Sequence, residues 1–269
     1  MTTMSLQGEV ALVTGAGRGF GRAIALRLAA EGAAVGLVSR SGSELQAVAA
    51  AIAAAGGHAL VTPADLTQPD DIARATAQVR AGLGPVSLVV SNAGVPGPFG
   101  PLWVTDPDDW WRAQSIHIHA PYLLLRQVMP DMVAAGRGRC ILVSAVASRM
   151  ILPGIGAYSV GKAAQSKLVA VTAAEAAETG VKLFAIDPGF VVTELAMETY
   201  RSPQARQYMP VFIDVLEQRM AREDGEADLR RCAQRVLDLA SGRYDPLSGR
   251  YMELDDDIDA WLAEATAGV

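Results

Sequence analysis

The chain has 269 residues, of which 51% are hydrophobic and 19% charged, and its formal net charge is −6 with a pI near 5.1. This acidic balance argues against nucleic acid as a partner, because phosphates attract basic surfaces. The N-terminus lacks a basic region followed by an apolar core, and no apolar run reaches the length of a membrane span, so we expect a cytoplasmic protein with no membrane partner. The two cysteines, Cys140 and Cys232, have neither metal-ligand nor disulfide spacing, and we expect no metal.

Short apolar runs alternate along the chain with longer helical segments, which predicts βαβ units on a parallel sheet with helices on both faces. Strands are predicted at Val10–Thr14, Ala34–Ser39, His58–Pro63, Ser87–Ser91, Arg139–Ser144, Lys182–Asp187 and Arg250–Glu253. Helices are predicted near residues 20–31, 43–55, 69–81, 107–135, 157–178 and 227–240. Residues 193–225 break the alternation and predict a helical flap over a substrate site. No linker divides the chain, so residues 1–269 are expected to form a single domain, and the acidic run 255–259 is expected to be an exposed edge near its end.

The first predicted strand runs directly into a glycine-rich turn that opens a helix. Glycines let the backbone approach a pyrophosphate, whose charge is favoured by the N-terminus of a helix. A tight turn without a ligand is the simpler interpretation, but the position after the first strand of a βαβ unit favours a dinucleotide. The residues concerned are Gly15, Gly17, Arg18, Gly19, Phe20 and Gly21.

The second predicted strand ends in Ser39 and Arg40. Sheets that select NAD usually carry an acid near this point for the ribose 2′-hydroxyl, whereas an arginine suits a 2′-phosphate. No acid lies between Val35 and Gly42, and Arg18 offers a second positive group. The sequence therefore predicts NADP(H) rather than NAD(H) as the cofactor.

Tyr158 and Lys162 are four positions apart, which puts them on one face of a helix. We expect the ammonium to favour the phenolate and so to lower the pKa of the tyrosine, which is about 10 when unperturbed. A tyrosine of this kind serves as the acid or base that reduction of a carbonyl requires. A chance surface pair has the same spacing, so the other motifs decide between the two interpretations.

With these motifs in order, the chain resembles the short-chain dehydrogenases/reductases of the classical type over roughly residues 8–253. The resemblance implies a three-layer, Rossmann-type doubly wound parallel sheet of about seven strands. It also implies a homotetramer or homodimer, with helices 107–135 and 157–178 at the main contact. The motifs that carry it are the glycine turn, Asp65-Leu66, Ser91-Asn92-Ala93-Gly94, Tyr158 with Lys162, and Pro188-Gly189 with Thr193.

The resemblance also implies roles for individual residues. Asp65 would contact the adenine, Asn92 would steady the central strand beside the cofactor, and Lys162 would hold the nicotinamide ribose. The other positions expected to bind the cofactor are Leu66, Ala93, Gly94, Tyr158, Pro188, Gly189, Val191 and Thr193.

Two catalytic positions of the family are changed in this chain. The serine expected thirteen residues before the tyrosine is Ala145, and the asparagine of the long helix is His117. His117 is a candidate catalytic residue in a proton relay, which would titrate near pH 6.5. Ser144 and Ser148 are the hydroxyls nearest to the changed serine position, but Ser144 should face away because successive strand residues alternate. His58 and His119 are assigned no function.

Three functions remain open at this point. The first is an NADP(H)-dependent oxidoreductase acting on a hydrophobic ketone or alcohol, because the residues expected around the tyrosine are apolar and aromatic. The second is a redox-neutral enzyme (a dehydratase, isomerase or cyclase), which Ala145 and His117 suggest. The third, a non-catalytic nucleotide sensor, is disfavoured because Tyr158 and Lys162 are both present. Candidate substrate-binding residues are Ala145, Ser148, Met150, Leu152 and Met197.

Overall fold

The structure is a computed structural model that describes residues 6–222 and 225–267. In this part of the chain the strands are β1 (Val10–Thr14), β2 (Ala34–Ser39), β3 (His58–Pro63), β4 (Leu88–Ser91), β5 (Gly138–Val143), β6 (Val181–Ile186) and β7 (Tyr251–Met252). They pair in parallel in one sheet, in the order β3-β2-β1-β4-β5-β6-β7. This confirms the doubly wound α/β fold and the prediction of about seven parallel strands.

Helices cover both faces of the sheet. Successive residues of β1 point to opposite sides, so Val13 joins one buried cluster and Leu12 the other. The first cluster includes the helices Gly19–Ala30, Gly42–Ala54 and Gly225–Ala240, and the second includes the helices Pro69–Leu83, Ala120–Ala135 and Gly156–Glu175. The helices are α1 (Gly19–Ala30), α2 (Gly42–Ala54), α3 (Pro69–Leu83), α4 (Pro107–Gln114), α5 (Ala120–Ala135), α6 (Gly156–Glu175), α7 (Glu194–Arg201), α8 (Pro203–Tyr208), α9 (Pro210–Met220), α10 (Gly225–Ala240) and α11 (Ile258–Ala267). Among the described residues, none of the helices has the length and apolarity needed to cross a bilayer.

The single helix predicted over 107–135 is divided by a π-helical segment, Ser115–His119. The sequence supplies a reason, because Pro121 has no N–H to donate to the carbonyl of His117 four residues earlier. A π turn widens the helix by one residue and often marks a functional position. The segment brings His117 against α6, where a β-carbon on Gly161 would overlap that of the histidine.

The predicted flap is present as α7, α8 and α9, which lie between β6 and α10. Helix α11 was not predicted. The acidic run taken for an exposed edge leads into it, and Oδ1 of Asp257 accepts a hydrogen bond from the N–H of Ala260 at 3.0 Å. An aspartate in this position is a common start signal for a helix, so the sequence did carry evidence for α11.

Candidate functional site

The turn between β1 and α1 has little room for anything but glycine at two positions. Gly15 has a φ of +64°, and a β-carbon there would lie 2.8 Å from Nδ2 of Asn92. A β-carbon on Gly21 would overlap the carbonyl oxygen of Gly15. No side chain caps the N-terminus of α1, where Arg18 is the capping residue. Its first N–H groups are therefore suited to an anion such as a pyrophosphate.

Asn92 fastens the end of β4 to this turn. Its Nδ2 donates to the carbonyl of Thr14 at 3.0 Å. Oγ1 of Thr14 accepts in return from the N–H of Asn92 at 3.0 Å and from that of Ala93 at 3.2 Å. Gly94 follows, and a β-carbon there would lie 3.4 Å from Cε1 of His117. The three predicted residues thus connect the phosphate turn to the π segment, as expected of a group that steadies the central strands.

At the end of β2, the expected cofactor-binding residues Ser39 and Arg40 are joined by the carboxylate of Glu44, which the sequence did not lead us to expect. Oγ of Ser39 is buried with no hydrogen-bond partner, and Arg40 beside it is exposed. A β-carbon on Gly17 would lie 2.9 Å from Oε2 of Glu44 and 3.4 Å from Oγ of Ser39. No acid lies between Val35 and Gly42 in the sequence, but α2 brings the carboxylate of Glu44 to this end of β2.

Glu44 could have been suspected from the sequence, because Ser41 and Glu44 have the spacing of a capping box. Half of that box is formed, since Oγ of Ser41 accepts from the N–H of Glu44 at 3.3 Å. The carboxylate does not return to Ser41 but lies against Gly17. An orphaned hydroxyl and a carboxylate at the end of β2 fit a ribose of a dinucleotide.

The flap touches the phosphate turn through two contacts. Arg18 donates to Oε1 of Glu198 on α7 at 2.9 Å, and Cγ2 of Thr193 lies 3.2 Å from the position of a β-carbon on Gly19. The ion pair is half-exposed and contributes little to stability. Arg18 thus connects the flap to the turn through a weak surface ion pair, a contact that the sequence did not predict. Phe20, the next residue after Gly19, packs against the core on the α1 face.

The other expected adenine and nicotinamide residues also lie at the carboxyl edge of the sheet. Oδ1 of Asp65 accepts from the N–H and hydroxyl of Thr67, at 2.9 and 2.8 Å, and Leu66 is buried. Asp187 precedes Pro188 and joins two loops there. Its carboxylate accepts from the N–H of Val146 at 2.9 Å and from that of Gly189 at 3.0 Å. The carbonyl of Val191, a buried residue, accepts from the N–H of Thr193 at 2.8 Å.

Lys162 is buried, with only 3% of its surface exposed. Its Nζ donates to the carbonyl of Val143 at 2.6 Å and lies 5.6 Å from the centre of the Tyr158 ring. Burial lowers the pKa of Lys162 from 10.5 to about 7, although the nearby carboxylate of Asp187 opposes that shift. The ammonium therefore titrates near neutral pH.

The expected lowering of the Tyr158 pKa is wrong, because burial outweighs any help from the Lys162 ammonium. Burial raises the pKa of the Tyr158 phenol, and the negative charge of Asp187 raises it further. The reason is that the ring lies in an apolar cluster and the lysine donates its hydrogen bonds elsewhere. Tyr158 is consequently a protonated phenol throughout the neutral range.

His117 is completely buried and its ring meets that of Tyr158 edge-on, with centroids 5.3 Å apart and planes at 87°. Nε2 lies 2.9 Å from the carbonyl of Val95, which can only accept, so Nε2 carries the proton. Nδ1 is then an acceptor, and no residue that the structure describes donates to it. Burial lowers the pKa of His117 to about 3, and the charge of Lys162 contributes. The expected titration near pH 6.5 is wrong, because the imidazole is neutral well below that pH.

Ala145 lies in the apolar cluster that contacts Tyr158, together with Ala147, Ile155 and Met209. Ser144 faces away as predicted, since its hydroxyl donates to the carbonyl of Lys162 at 3.0 Å. Ser148 lies near Tyr251 on β7, and its hydroxyl is buried without a hydrogen-bond partner among the described residues. Ser144 therefore does not take the place of the missing serine.

The expected substrate-binding residues divide into two groups. Ala145 and Leu152 belong to the cluster around Tyr158, which also contains Phe99, Phe212 and the unpredicted Tyr208. Met150 is exposed and Met197 is half-buried on α7, both outside that cluster. The sequence therefore predicted the apolar character of the surroundings of Tyr158, but only some of the residues that form them.

Comparison with known proteins agrees with this geometry. The family model for the short chain dehydrogenases matches residues 9–204. The chain belongs to this family. It is 34% identical over 265 residues to a short chain dehydrogenase of Pseudocercospora fijiensis, covering 97% of this chain and 84% of that relative.

Two solved structures of the family carry nicotinamide cofactors. One is a metagenomic short-chain oxidoreductase in complex with NADP, 40% identical, with a TM-score of 0.67 over 70% of this chain and 85% of its own. The other is a 7α-hydroxysteroid dehydrogenase in complex with NADH and 7-oxo glycochenodeoxycholic acid. It is 26% identical, with a TM-score of 0.80 over 93% of this chain and 94% of its own.

The buried imidazole gives a direct test of the site's electrostatics. We expect the ring resonances of His117 to show no shift of the size that protonation of an imidazole gives between pH 9 and pH 5, because its pKa is about 3. The measurement is a proton–carbon NMR titration of the three histidines, assigned by replacing each in turn. A midpoint near pH 6.5 for His117 would contradict the burial and tautomer described above.

Proposed function

We propose that this protein is an NADP(H)-dependent oxidoreductase that reduces the carbonyl of a hydrophobic small molecule, with Tyr158 as the proton donor. The observation that carries the proposal is the protonated phenol of Tyr158, held in an apolar cluster next to the Lys162 ammonium. Membership of the short chain dehydrogenase family supports the reaction type. The raised pKa of the phenol favours the direction of reduction, in which the tyrosine must begin protonated.

The cofactor, when bound, supplies a hydride to the carbonyl carbon. Tyr158 donates its phenolic proton to the carbonyl oxygen, so that the product is an alcohol and the phenolate remains. The ammonium form of Lys162 stabilises that phenolate. A proton from solvent later returns the phenolate to the phenol. The cluster of Ala145, Leu152, Phe99 and Phe212 would exclude water and bind the apolar part of the substrate.

Selection of the cofactor would rest on opposing charges at the end of β2. Arg40 would attract the 2′-phosphate of NADPH, whereas Glu44 would repel it and accept a hydrogen bond from the 2′-hydroxyl of NADH. The arginine is exposed and has the greater reach, so we propose a preference for NADPH that Glu44 moderates.

Binding measurements test this balance. We expect NADPH to bind more tightly than NADH, and Arg40→Asp to invert the order. Glu44→Gln should tighten NADPH about fivefold, as removal of about 1 kcal/mol of repulsion near the surface would do. The measurement is the dissociation constant of each cofactor at fixed salt, with the exposed Glu175→Gln as the matched control. Equal affinities in the wild type, or no effect of Glu44→Gln, would count against the assignment.

A redox-neutral reaction on the same fold is the second candidate. It is favoured by Ala145, which presents a methyl where a hydroxyl would contact the substrate oxygen. It is also favoured by His117, whose Nδ1 is an acceptor to which no described residue donates. A dehydration or isomerisation would use the room beside Ala145 and would consume no cofactor.

The substitution Ala145→Ser distinguishes the carbonyl reductase from the redox-neutral enzyme. Loss of one donor to a developing oxyanion costs about 10²–10³ in rate, so Ala145→Ser should raise the turnover of a carbonyl reductase, by up to about 100-fold. Tyr158→Phe should abolish turnover in both backgrounds, because it removes the proton donor. The measurement is NADPH oxidation with a panel of hydrophobic ketones.

Ala147→Ser serves as the control, since it adds the same hydroxyl to another buried residue of the cluster. A loss of native activity in Ala145→Ser would favour the redox-neutral candidate. Full activity of Tyr158→Phe would contradict the assignment of Tyr158 as the proton donor.

A further inference from the structure

Gln165 forms part of the surroundings of the Lys162 ammonium. Its Oε1 accepts from Nζ of Lys162 at 3.3 Å, on the same ammonium that donates to the carbonyl of Val143. Gln165 is 2% exposed, so no bulk water competes for this contact. An ammonium has three N–H groups, and these two acceptors leave one for a group beside Tyr158.

The other end of the Gln165 amide holds the π segment. Its Nε2 donates to the carbonyl of His117 at 2.8 Å. That carbonyl has no α-helical partner, because residue 121 is a proline without an N–H. A buried carbonyl without a donor is costly, so the glutamine satisfies a need that the chain itself creates.

A purely structural role would need only half of these contacts. To hold α6 against the π segment, Gln165 needs only the hydrogen bond to the carbonyl of His117. In that role Oε1 could accept from any neighbouring donor. The oxygen instead lies on a buried cation that needs acceptors. Oriented this way, the amide directs its negative end to Lys162 and its positive end to a carbonyl, which is the arrangement that favours the ammonium.

The other groups facing Lys162 can be named. Asp187, at the end of β6, contributes a carboxylate whose charge favours the ammonium. Val143 of β5 contributes a carbonyl, His117 of the π segment a neutral imidazole, and Tyr158 of α6 itself a protonated phenol. Asp187 therefore supplies the one opposing charge among these groups. The rest of the stabilisation of the ammonium comes from neutral hydrogen-bond acceptors.

We propose that Gln165 is a positioning residue, whose amide bridges the carbonyl of His117 and the ammonium of Lys162 and holds that ammonium charged beside Tyr158. The role rests on the proposed function of Tyr158 and Lys162. Because an amide does not titrate near neutral pH, the bridge conveys orientation and charge stabilisation but passes no proton. Gln165 acts through Lys162 and need not touch the substrate.

Two substitutions at this position should move the titration of Lys162 in opposite directions. Gln165→Met keeps the length of the side chain but removes the acceptor, and should lower the pKa of Lys162 by about one unit from about 7. Gln165→Glu places a carboxylate there and should raise that pKa by about one unit or more. The pH at which kcat/KM for reduction falls should move with each, because the ammonium is lost as the pH rises through its pKa.

The chain allows a direct measurement, because it contains three lysines, Lys162, Lys167 and Lys182. Protein labelled with ¹³C-lysine gives three Cε signals, and the other two lysines are internal references. Gln114→Met is the matched control: Gln114 is also buried and donates to a carbonyl of α6, that of Ala157 at 3.0 Å, and its amide donates to Ala157 and Trp110 rather than accepting from Lys162. It should leave the Lys162 titration in place.

Opposite shifts in the two Gln165 variants, with Gln114→Met unmoved, support the proposal. A Lys162 titration that stays in place in Gln165→Glu overturns it, whether or not Gln165→Met folds. Tyr158→Phe separates this result from the proposed function. If that variant keeps full turnover while the lysine titration moves as expected, the proposed function fails and the bridge stands. If Tyr158→Phe is inactive while the Lys162 titration does not move in the Gln165 variants, the proposed role of Gln165 fails and the proposed function stands.

Discussion

The buried ammonium of Lys162 is the constraint on which the geometry of this site depends. A charge taken out of water is costly unless hydrogen bonds and an opposing charge compensate for it. Here the acceptors come from β5 and from α6, and the opposing charge from the end of β6. The lysine therefore fixes α6 against the carboxyl edge of the sheet. Tyr158, one helical turn earlier, is thereby fixed in the apolar cluster that raises its pKa.

The same requirement connects the two unusual residues of the site. His117 brings no charge into the space around Lys162, because burial keeps its imidazole neutral. Its carbonyl, left without a helical partner before Pro121, is coupled to the lysine through Gln165. Ala145 completes an apolar wall without adding a hydroxyl. In the proposed mechanism, proton donation falls to Tyr158, and the Lys162 ammonium that supports it depends on neutral acceptors and on Asp187.

Periodicity and turn chemistry made the strands and the glycine-rich turn after β1 predictable, because each is a local consequence of apolar runs and glycines. The serine that faces away from the site was predictable for the same reason, since strand residues alternate. The contacts of Gln165 were missed because they arise only when separate elements meet. For Glu44 the capping-box spacing was a local signal, but it does not report that the carboxylate lies against Gly17. The pKa directions of Tyr158 and His117 were wrong because spacing along a helix does not report burial. Pro121, four residues after His117, was the available signal for the π segment.

Transfer of isotope from the cofactor tests the central claim most directly. Wild-type protein would be given NADPH carrying deuterium at C4 of the nicotinamide, in each of the two stereoisomers, with a panel of hydrophobic ketones. Mass spectrometry would then locate the label in the products. The account predicts that one stereoisomer delivers deuterium to the carbinol carbon, with one NADPH oxidised for each alcohol formed. A product that forms without deuterium from either stereoisomer and without net oxidation of NADPH would contradict it.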